Sequence, residues 1–262
     1  MTHVGLLLIL LPVGLFCAMV AAAVAGNHIA RIRRQRLDAD AAVGTSAIDA
    51  AVLGLLGLLV AFWFSSAGTR LDVRRSLIVE EANAIGTAWL RLDLLPAATG
   101  TAVRDLFRGY VDVRLAQTTG SLQADKQVEF DRRLTELRTG IWRQAVAAAP
   151  ECESDQAAAI LLESLNEMFD AGTRHQAFFN AHTPTAILIL LLIVAVFAAV
   201  LAGHDMGGRE AFRWLHAVVF AGVVSLTIWV IYDLEMPRYG LIRVDNFDAT
   251  MRDVRADFDR PR

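Results

Sequence analysis

The sequence has few of the features on which soluble or extracellular proteins depend. Its 262 residues include only two cysteines, Cys17 and Cys152, and six prolines, with neither a lysine-rich run nor a low-complexity tract. Two cysteines do not make a disulfide framework, and Cys17 lies within an apolar run while Cys152 lies in a polar segment. The low proline content argues against disorder. A net charge of −3 without a basic patch predicts no nucleic-acid partner.

Hydrophobic residues are abundant instead. They make up 55% of the chain, charged residues make up 20%, and the mean hydropathy is +0.43. Soluble domains are typically about 45–50% apolar and about 25% charged. The composition therefore excludes an ordinary soluble domain and predicts a protein that is embedded in the lipid bilayer.

Four stretches are long and apolar enough to cross a bilayer, whose hydrocarbon core takes about 20 residues of helix. They are 4–25, 47–67, 185–202 and 214–232. Backbone groups inside lipid must pair within their own segment, so we expect each stretch to be a helix. The first stretch could instead be a cleaved signal peptide. However, its Met-Thr-His start has no basic residue and the apolar run is long, so we expect a membrane helix.

A polar segment, 68–184, separates the second and third stretches. Its apolar residues, such as Phe107 and Val111, recur at helical spacing, and no alternating strand pattern is present. We expect Pro150 to end one helix and Ser154 to cap the next. The sequence therefore predicts an all-α membrane protein with four transmembrane helices. Its parts are transmembrane helices 1 and 2 at 1–67, a helical extramembrane domain at 68–184, transmembrane helices 3 and 4 at 185–232, and a polar C-terminal tail at 233–262, solvated or bound to a partner.

A dense group of polar residues follows the second predicted span. Arg70 and Arg74 are one helical turn apart, as Glu80 and Asn83 are, whereas the adjacent Glu80 and Glu81 diverge on a helix. One interpretation is the mouth of a pore, where arginines attract anions and carboxylates set the local field. The alternative is a belt of arginines at the membrane surface with ion pairs between subunits. Because the two carboxylates diverge, we do not expect an acid–base catalytic pair here.

Two sets of residues recur along the second predicted span. The small residues, spaced for close helix–helix approach, are Ala50, Gly54, Gly57 and Ala61. Leu58, Phe62 and Ser66 form a neighbouring stripe, with Ser65 beside it. An apolar stripe of this kind can line a pore and gate it by excluding water. The same stripe can also face lipid or another helix.

The end of the fourth predicted span combines a helix stop with polar groups. The residues of this tail motif are Asp233, Glu235, Pro237, Arg238 and Gly240. Two acidic residues fall far short of the roughly six to eight oxygens that Ca²⁺ takes. The six histidines show no zinc-site spacing, and we expect them at interfaces or in solvent. The sequence also lacks a Walker loop, a dinucleotide-binding turn, a nucleophile elbow and CxxC, so we predict no enzyme, cofactor or metal site.

Several motifs resemble those of a known membrane family. The chain reads LLGLLVAF at 55–62, EANAIGTAWLR at 81–91, NEM at 166–168 and DLEMPRYG at 233–240. Together these motifs, which span nearly the whole chain, resemble the bestrophin-like family of uncharacterised bacterial membrane proteins, distantly similar to bestrophin channels.

This resemblance implies a pentameric ion channel whose second span lines a narrow hydrophobic neck. Leu58 and Phe62 then become the candidate neck residues, while Ser66 departs from the bulky apolar residue expected one turn further on. The few acidic residues after the fourth span argue against calcium gating. The resemblance also implies a multi-pass protein of the inner membrane, with both termini and the 68–184 domain in the cytoplasm. The arginines at 31–36 favour the opposite orientation, but the arginine counts on the two sides are nearly equal.

Two functions are consistent with these observations. The first is a homo-oligomeric ion channel, for anions or for cations, that passes inorganic ions through a neck of apolar side chains. The alternative is a non-conducting oligomeric scaffold or sensor whose helical domain binds a partner while the spans anchor it. Intramembrane catalysis is least favoured, because the spans contain no nucleophile–base set and we expect Asp49 at the membrane surface.

Overall fold

The fold is built from α-helices. The structure, a computed structural model, describes residues 3–36, 46–119, 124–181, 183–206, 213–236 and 245–260, and these residues contain no strand. The helices are α1 (His3–Arg36), α2 (Ser46–Arg91), α3 (Ala97–Thr119), α4 (Ala124–Ala148), α5 (Asp155–Asn180), α6 (Thr185–Met206), α7 (Trp214–Glu235) and α8 (Asp245–Asp257). Short 3₁₀ turns at Leu92–Leu94 and Ala149–Glu151 follow α2 and α4.

Four of the described helices, α1, α2, α6 and α7, are long and apolar enough to cross a membrane. They confirm the predicted all-α membrane fold with four transmembrane helices. α2 has 46 residues, which at about 1.5 Å per residue gives a length of roughly 69 Å, more than twice a hydrocarbon core of about 30 Å. Only part of α2 can therefore lie in lipid, and the uncharged stretch 50–69 is the part suited to it.

The chain divides into two compact units. The first, here called the membrane unit, comprises Met1–Leu71 and His182–Arg243. The second, the helical unit, comprises Asp72–Ala181 and Val244–Arg262. Helix α2 contributes residues to both units. Cys17 and Cys152 are free, as the sequence predicts.

α1 and α6 pack very closely in the membrane unit. A Cβ atom on Gly203 would lie 2.6 Å from the Cα of Ala23, and a Cβ on Gly26 would lie 2.9 Å from the carbonyl carbon of Val200. Both distances are too short for a real side chain. Glycine at these two positions therefore lets the two backbones touch, as small residues commonly do between membrane helices.

Gly54 and Gly57 of α2 make no such contact with the described residues. A Cβ atom on Gly54 or Gly57 would meet no described atom within 4 Å. The described residues of one chain supply no partner helix at these positions, so the expected close helix approach stays a prediction. The small-residue face of α2 is left uncovered.

The helical unit has a core formed by α3, α4, α5 and the end of α2. Its buried apolar side chains recur at three- and four-residue spacing, which makes each helix amphipathic. Examples are Val103, Phe107 and Val111 in α3, Leu134, Leu137 and Ile141 in α4, and Leu161, Leu165 and Met168 in α5. α5 begins where the sequence predicts, because the Ser154 Oγ accepts a hydrogen bond from the Ala157 N–H at 3.1 Å.

The C-terminal segment contains a packed helix, α8. Met251 and Phe258 are 1% and 4% exposed. The Phe258 ring stacks on Trp89 with centroids 4.1 Å apart, and Arg255 Nε donates to Asp112 at 2.7 Å. The expectation of a tail that is solvated or bound to a separate partner is therefore wrong for this part. Met251 and Phe258 are two helical turns apart, so they share one face despite their charged neighbours.

Replacing Gly203 with alanine is expected to destabilise the protein, because the new Cβ would overlap the backbone of Ala23. Overpacking of this kind costs about 1–3 kcal/mol. Thermal unfolding of the purified protein in detergent measures the effect. Gly14→Ala on α1 is the matched control, since a Cβ at Gly14 meets nothing within 4 Å. Equal melting temperatures for the two variants would contradict the α1–α6 contact.

Candidate functional site

The first half of α2 packs on its own chain along one stripe. Asp49, Leu56 and Trp63 are each 5% exposed or less. They are seven residues apart, close to two helical turns, and therefore share one face. Most of the other side chains between 50 and 66 are exposed. This half of α2 thus presents a broad surface that the rest of the described chain does not cover.

The predicted pore-lining residues all lie outside the buried stripe. Leu58 and Phe62 are 51% and 65% exposed, and Ser65 and Ser66 are exposed as well. Spacings of three and four residues place these side chains above one another along the helix. No residue of the stretch 50–69 is charged. This surface therefore offers large apolar groups followed by hydroxyl groups.

Arg70 and Glu235 form a polar cluster in the membrane unit. Arg70 Nε donates to Glu235 Oε1 at 3.0 Å, and Arg70 Nη2 donates to the same oxygen. The Thr183 Oγ1 also donates to it, at 2.8 Å. The Glu235 side chain is 5% exposed and that of Arg70 is 24% exposed. The charge of Arg70 is therefore balanced within one chain. One expectation from the sequence was an ion pair between subunits.

The tail motif begins inside α7, which ends at Glu235. Asp233 is 3% exposed, so both acidic residues of the motif are buried at the end of this helix. The other residues of the motif, Pro237, Arg238 and Gly240, lie outside the described residues. Within the described ranges, no group of three His, Cys, Asp or Glu side chains is placed to hold a metal ion.

The adjacent glutamates of α2 diverge in the helical unit, as expected. Glu80 is exposed and pairs with Arg174, which also donates to Glu167 at 2.8 Å. Asn83 is exposed as well. Exposed ion pairs of this kind contribute little to stability because water and salt screen them.

Arg74 is buried, although its neighbour Arg75 is partly exposed. Arg74 Nη2 donates to the Ala181 carbonyl at 3.4 Å. Its guanidinium carbon lies 5.7 Å from the centroid of the Phe179 ring. The aromatic ring and the carbonyl provide a polarisable environment for this charge. In this structure Arg74 fixes the end of α5 rather than facing solvent.

Glu81 is completely buried in the helical unit. Arg114 of α3 donates from Nε to Glu81 Oε1 at 2.6 Å and from Nη2 to Oε2 at 2.7 Å, and the His175 Nδ1 also contacts Oε2. Arg114 Nη1 donates to the Gln117 Oε1 at 2.6 Å. A Cβ atom on Gly172 would lie 3.2 Å from Glu81 Oε1, so this glycine makes room for the carboxylate. The bidentate pair has the geometry of a strong ion pair.

Arg114 remains charged in this buried environment. Burial alone would lower the pKa of Arg114, but the Glu81 carboxylate outweighs burial and raises the pKa above its ordinary value. Each ion therefore compensates the other, as a buried charge requires. The network fastens α2 to α3 and α5.

Arg114 and His175 were not predicted from the sequence as partners of Glu81. The expectation that every histidine lies at an interface or in solvent is wrong for His175, because this residue is 1% exposed. Both residues continue the buried stripes of their helices: Arg114 lies seven residues after Phe107, and His175 lies seven after Met168. A polar residue at a position where helical spacing predicts the core was the available signal.

Replacing Glu81 with glutamine is expected to destabilise the helical unit, because it leaves the Arg114 guanidinium buried without its anion. Removing one partner of a buried ion pair costs about 3–5 kcal/mol. Glu80→Gln is the matched control, since Glu80 is exposed, and a much smaller loss is expected there. Denaturant unfolding followed by circular dichroism compares the two variants, and equal losses would refute the structural role of Glu81.

Comparison with known proteins agrees with this architecture. The profile of the Bestrophin-like domain matches residues 14–246. A crystal structure of a bacterial bestrophin homologue from Klebsiella pneumoniae is similar with a TM-score of 0.68 at 14% sequence identity, over 93% of this chain and 98% of that chain. A variant of that homologue with one substitution gives a TM-score of 0.69 at 14% identity, over 94% and 99%. No curated protein sequence matches the chain.

The two kinds of match support different statements. At 14% identity, the solved structures show a shared fold and nothing more. The family profile covers most of the chain and includes the LLGLLVAF, EANAIGTAWLR and DLEMPRYG motifs. The resemblance identified from the sequence is therefore confirmed, and the chain belongs to the Bestrophin-like family.

Proposed function

We propose that this chain is a subunit of an ion channel, a homo-oligomer in which α2 of each copy lines a narrow neck for inorganic ions. The observation that carries the proposal is the uncharged, uncovered surface of α2 formed by Leu58, Phe62, Ser65 and Ser66. Family membership supports it, because the bestrophins that this family resembles are ion channels. That resemblance implies a pentamer, in which five copies of this surface would surround the pore.

The proposed neck would act through dehydration. Large apolar side chains around a narrow pore oppose the passage of ions, because an ion must shed water to enter. Leu58 and Phe62 would form this constriction. Ser65 and Ser66 would follow it, and a hydroxyl group both donates and accepts hydrogen bonds, so it can face an anion or a cation.

The proposed topology follows from the number of spans. Four spans return the chain to the side on which it began, so both termini and the segment between the second and third spans share one side. We place that side in the cytoplasm and the protein in the inner membrane. The transmembrane helices then lie within 1–67 and 185–232, the extramembrane domain is 68–184, and 233–262 forms the C-terminal segment. A channel is favoured over an enzyme because the bestrophins that this family resembles are channels.

Ion flux from liposomes that contain the purified protein tests this function. Chloride gradients and then sodium or potassium gradients should reveal which sign of ion passes. Phe62→Ala and Leu58→Ala are expected to increase flux severalfold, because smaller side chains widen the neck and lower the dehydration cost. Phe64→Ala is the matched control. Phe64 is also an exposed apolar residue. It lies two positions after Phe62 and therefore on a different face of the helix from Leu58 and Phe62, so its replacement should not change the flux.

Two results would contradict parts of this proposal. Unchanged flux in both Leu58→Ala and Phe62→Ala would reject these residues as the neck. No flux of any ion from a well-folded oligomer would reject the channel and favour the non-conducting scaffold or sensor. In that case, a partner protein that binds through the helical domain is the expected finding.

A further inference from the structure

The helical unit contains a cavity of about 230 Å³ between α3, α4 and α5. It has room for roughly seven or eight water molecules, at about 30 Å³ each, or for a small metabolite of similar size. Its polar lining residues include Tyr110, Arg114, Asp131, Arg138 and Gln176. None of the proposed pore-lining residues contributes to it.

Tyr110 lines this cavity and is 5% exposed as a whole residue. Among the described residues no hydrogen bond joins its hydroxyl to another group, and this oxygen is not one of the fully enclosed polar atoms, so it is accessible from the cavity. Burial raises the pKa of Tyr110 to about 12, so the group is a neutral O–H donor near pH 7. A polar group that enters the cavity would satisfy it.

Asp131 provides a negative charge on the cavity wall. Its Oδ1 accepts hydrogen bonds from the side-chain amides of Gln117 at 3.1 Å, Gln127 at 3.4 Å and Gln176 at 2.8 Å. These three donors orient the carboxylate. The second oxygen, Oδ2, receives no hydrogen bond from a described residue and is available to a ligand.

Arg138 provides a positive charge on the same wall. Arg138 is exposed at the edge of the cavity, and its guanidinium carbon lies 4.9 Å from the centroid of the Phe169 ring. Arg138 lies seven residues after Asp131, so the two share a face of α4 about 10 Å apart along the axis. Arg114, by contrast, is already bound by Glu81 and Gln117. The cavity therefore offers one available anion and one available cation.

We propose that this cavity binds a small zwitterion, namely a free amino acid. Its carboxylate would meet Arg138 and the Tyr110 hydroxyl, and its ammonium group would meet Asp131. A simple anion would leave Asp131 unmatched, and a simple cation would leave Arg138 unmatched, whereas a zwitterion matches both. The volume limits the ligand to the smaller amino acids, and the Phe169 ring provides an apolar wall for a short side chain.

Isothermal titration of the purified full-length protein tests the proposal. The probes are glycine, L-alanine and L-serine, with acetate and methylamine as controls that carry only one of the two charges. We expect saturable binding of at least one amino acid, and binding of acetate and methylamine at least about tenfold weaker, a difference of about 1.4 kcal/mol. Asp131→Asn and Arg138→Gln should each weaken amino-acid binding by a similar factor.

Two further variants make the test specific. Tyr110→Phe removes only the hydroxyl and should weaken binding without unfolding the unit. Arg143→Gln, at an exposed position of the same helix outside the cavity, should leave binding unchanged. Absence of saturable binding of every amino acid, or equal loss in Arg143→Gln and Arg138→Gln, would overturn the proposal. Equal binding of acetate and the amino acids would contradict a zwitterion. Because binding rather than flux is measured, the result is independent of whether the protein conducts ions.

Discussion

The helical unit can bury Glu81 only because Arg114 is buried with it. Removing a carboxylate from water costs several kcal/mol, and only a well-placed cation with further hydrogen bonds offsets that cost. The pair joins α2 to α3, and His175 adds α5. The neighbouring motif residues Ala82, Ile85 and Ala88 are also fully buried. The EANAIGTAWLR segment, one of those that carry the resemblance to the family, is therefore a packing and ion-pair motif of the helical unit.

α2 combines two kinds of chemistry in one helix. Its first half is uncharged over 50–69 and is covered by its own chain along a single stripe. Its second half carries the ion pairs and buried apolar residues on which the helical unit depends. The channel proposal uses the first half, whereas the amino-acid proposal uses the cavity between α3, α4 and α5. The two proposals therefore rest on different residues, and the failure of one leaves the other intact.

Much of the fold could be predicted from the sequence, because hydropathy and helical spacing are local properties. They gave the four spans, the all-α class and the Ser154 cap. The ion pairs could not be predicted in this way. Arg70 and Glu235 are 165 residues apart, and nothing in their local sequence links them. The burial of Phe258 also depends on a distant residue, Trp89, which offers its ring as a surface for stacking. The role of Leu58 and Phe62 depends on how several copies of the chain assemble. Neither the local sequence nor a single subunit shows that assembly, so their role in a neck stays a prediction.

The shared contacts of Glu235 have a consequence for the architecture of the chain. Arg70 lies just before the chain leaves the membrane unit, and Thr183 lies just after it returns, yet both donate to the same carboxylate oxygen. The points of departure and return are therefore neighbours, which is the arrangement at which proteins tolerate the insertion of a domain. Residues 72–181 can be regarded as such an insertion into a membrane protein of four spans, completed by the C-terminal helix α8, which packs on the inserted segment. The parts of the inserted segment that contact neither α8 nor the Glu81 network could then change over evolution, or by design, while the two junctions held by Glu235 stay in place.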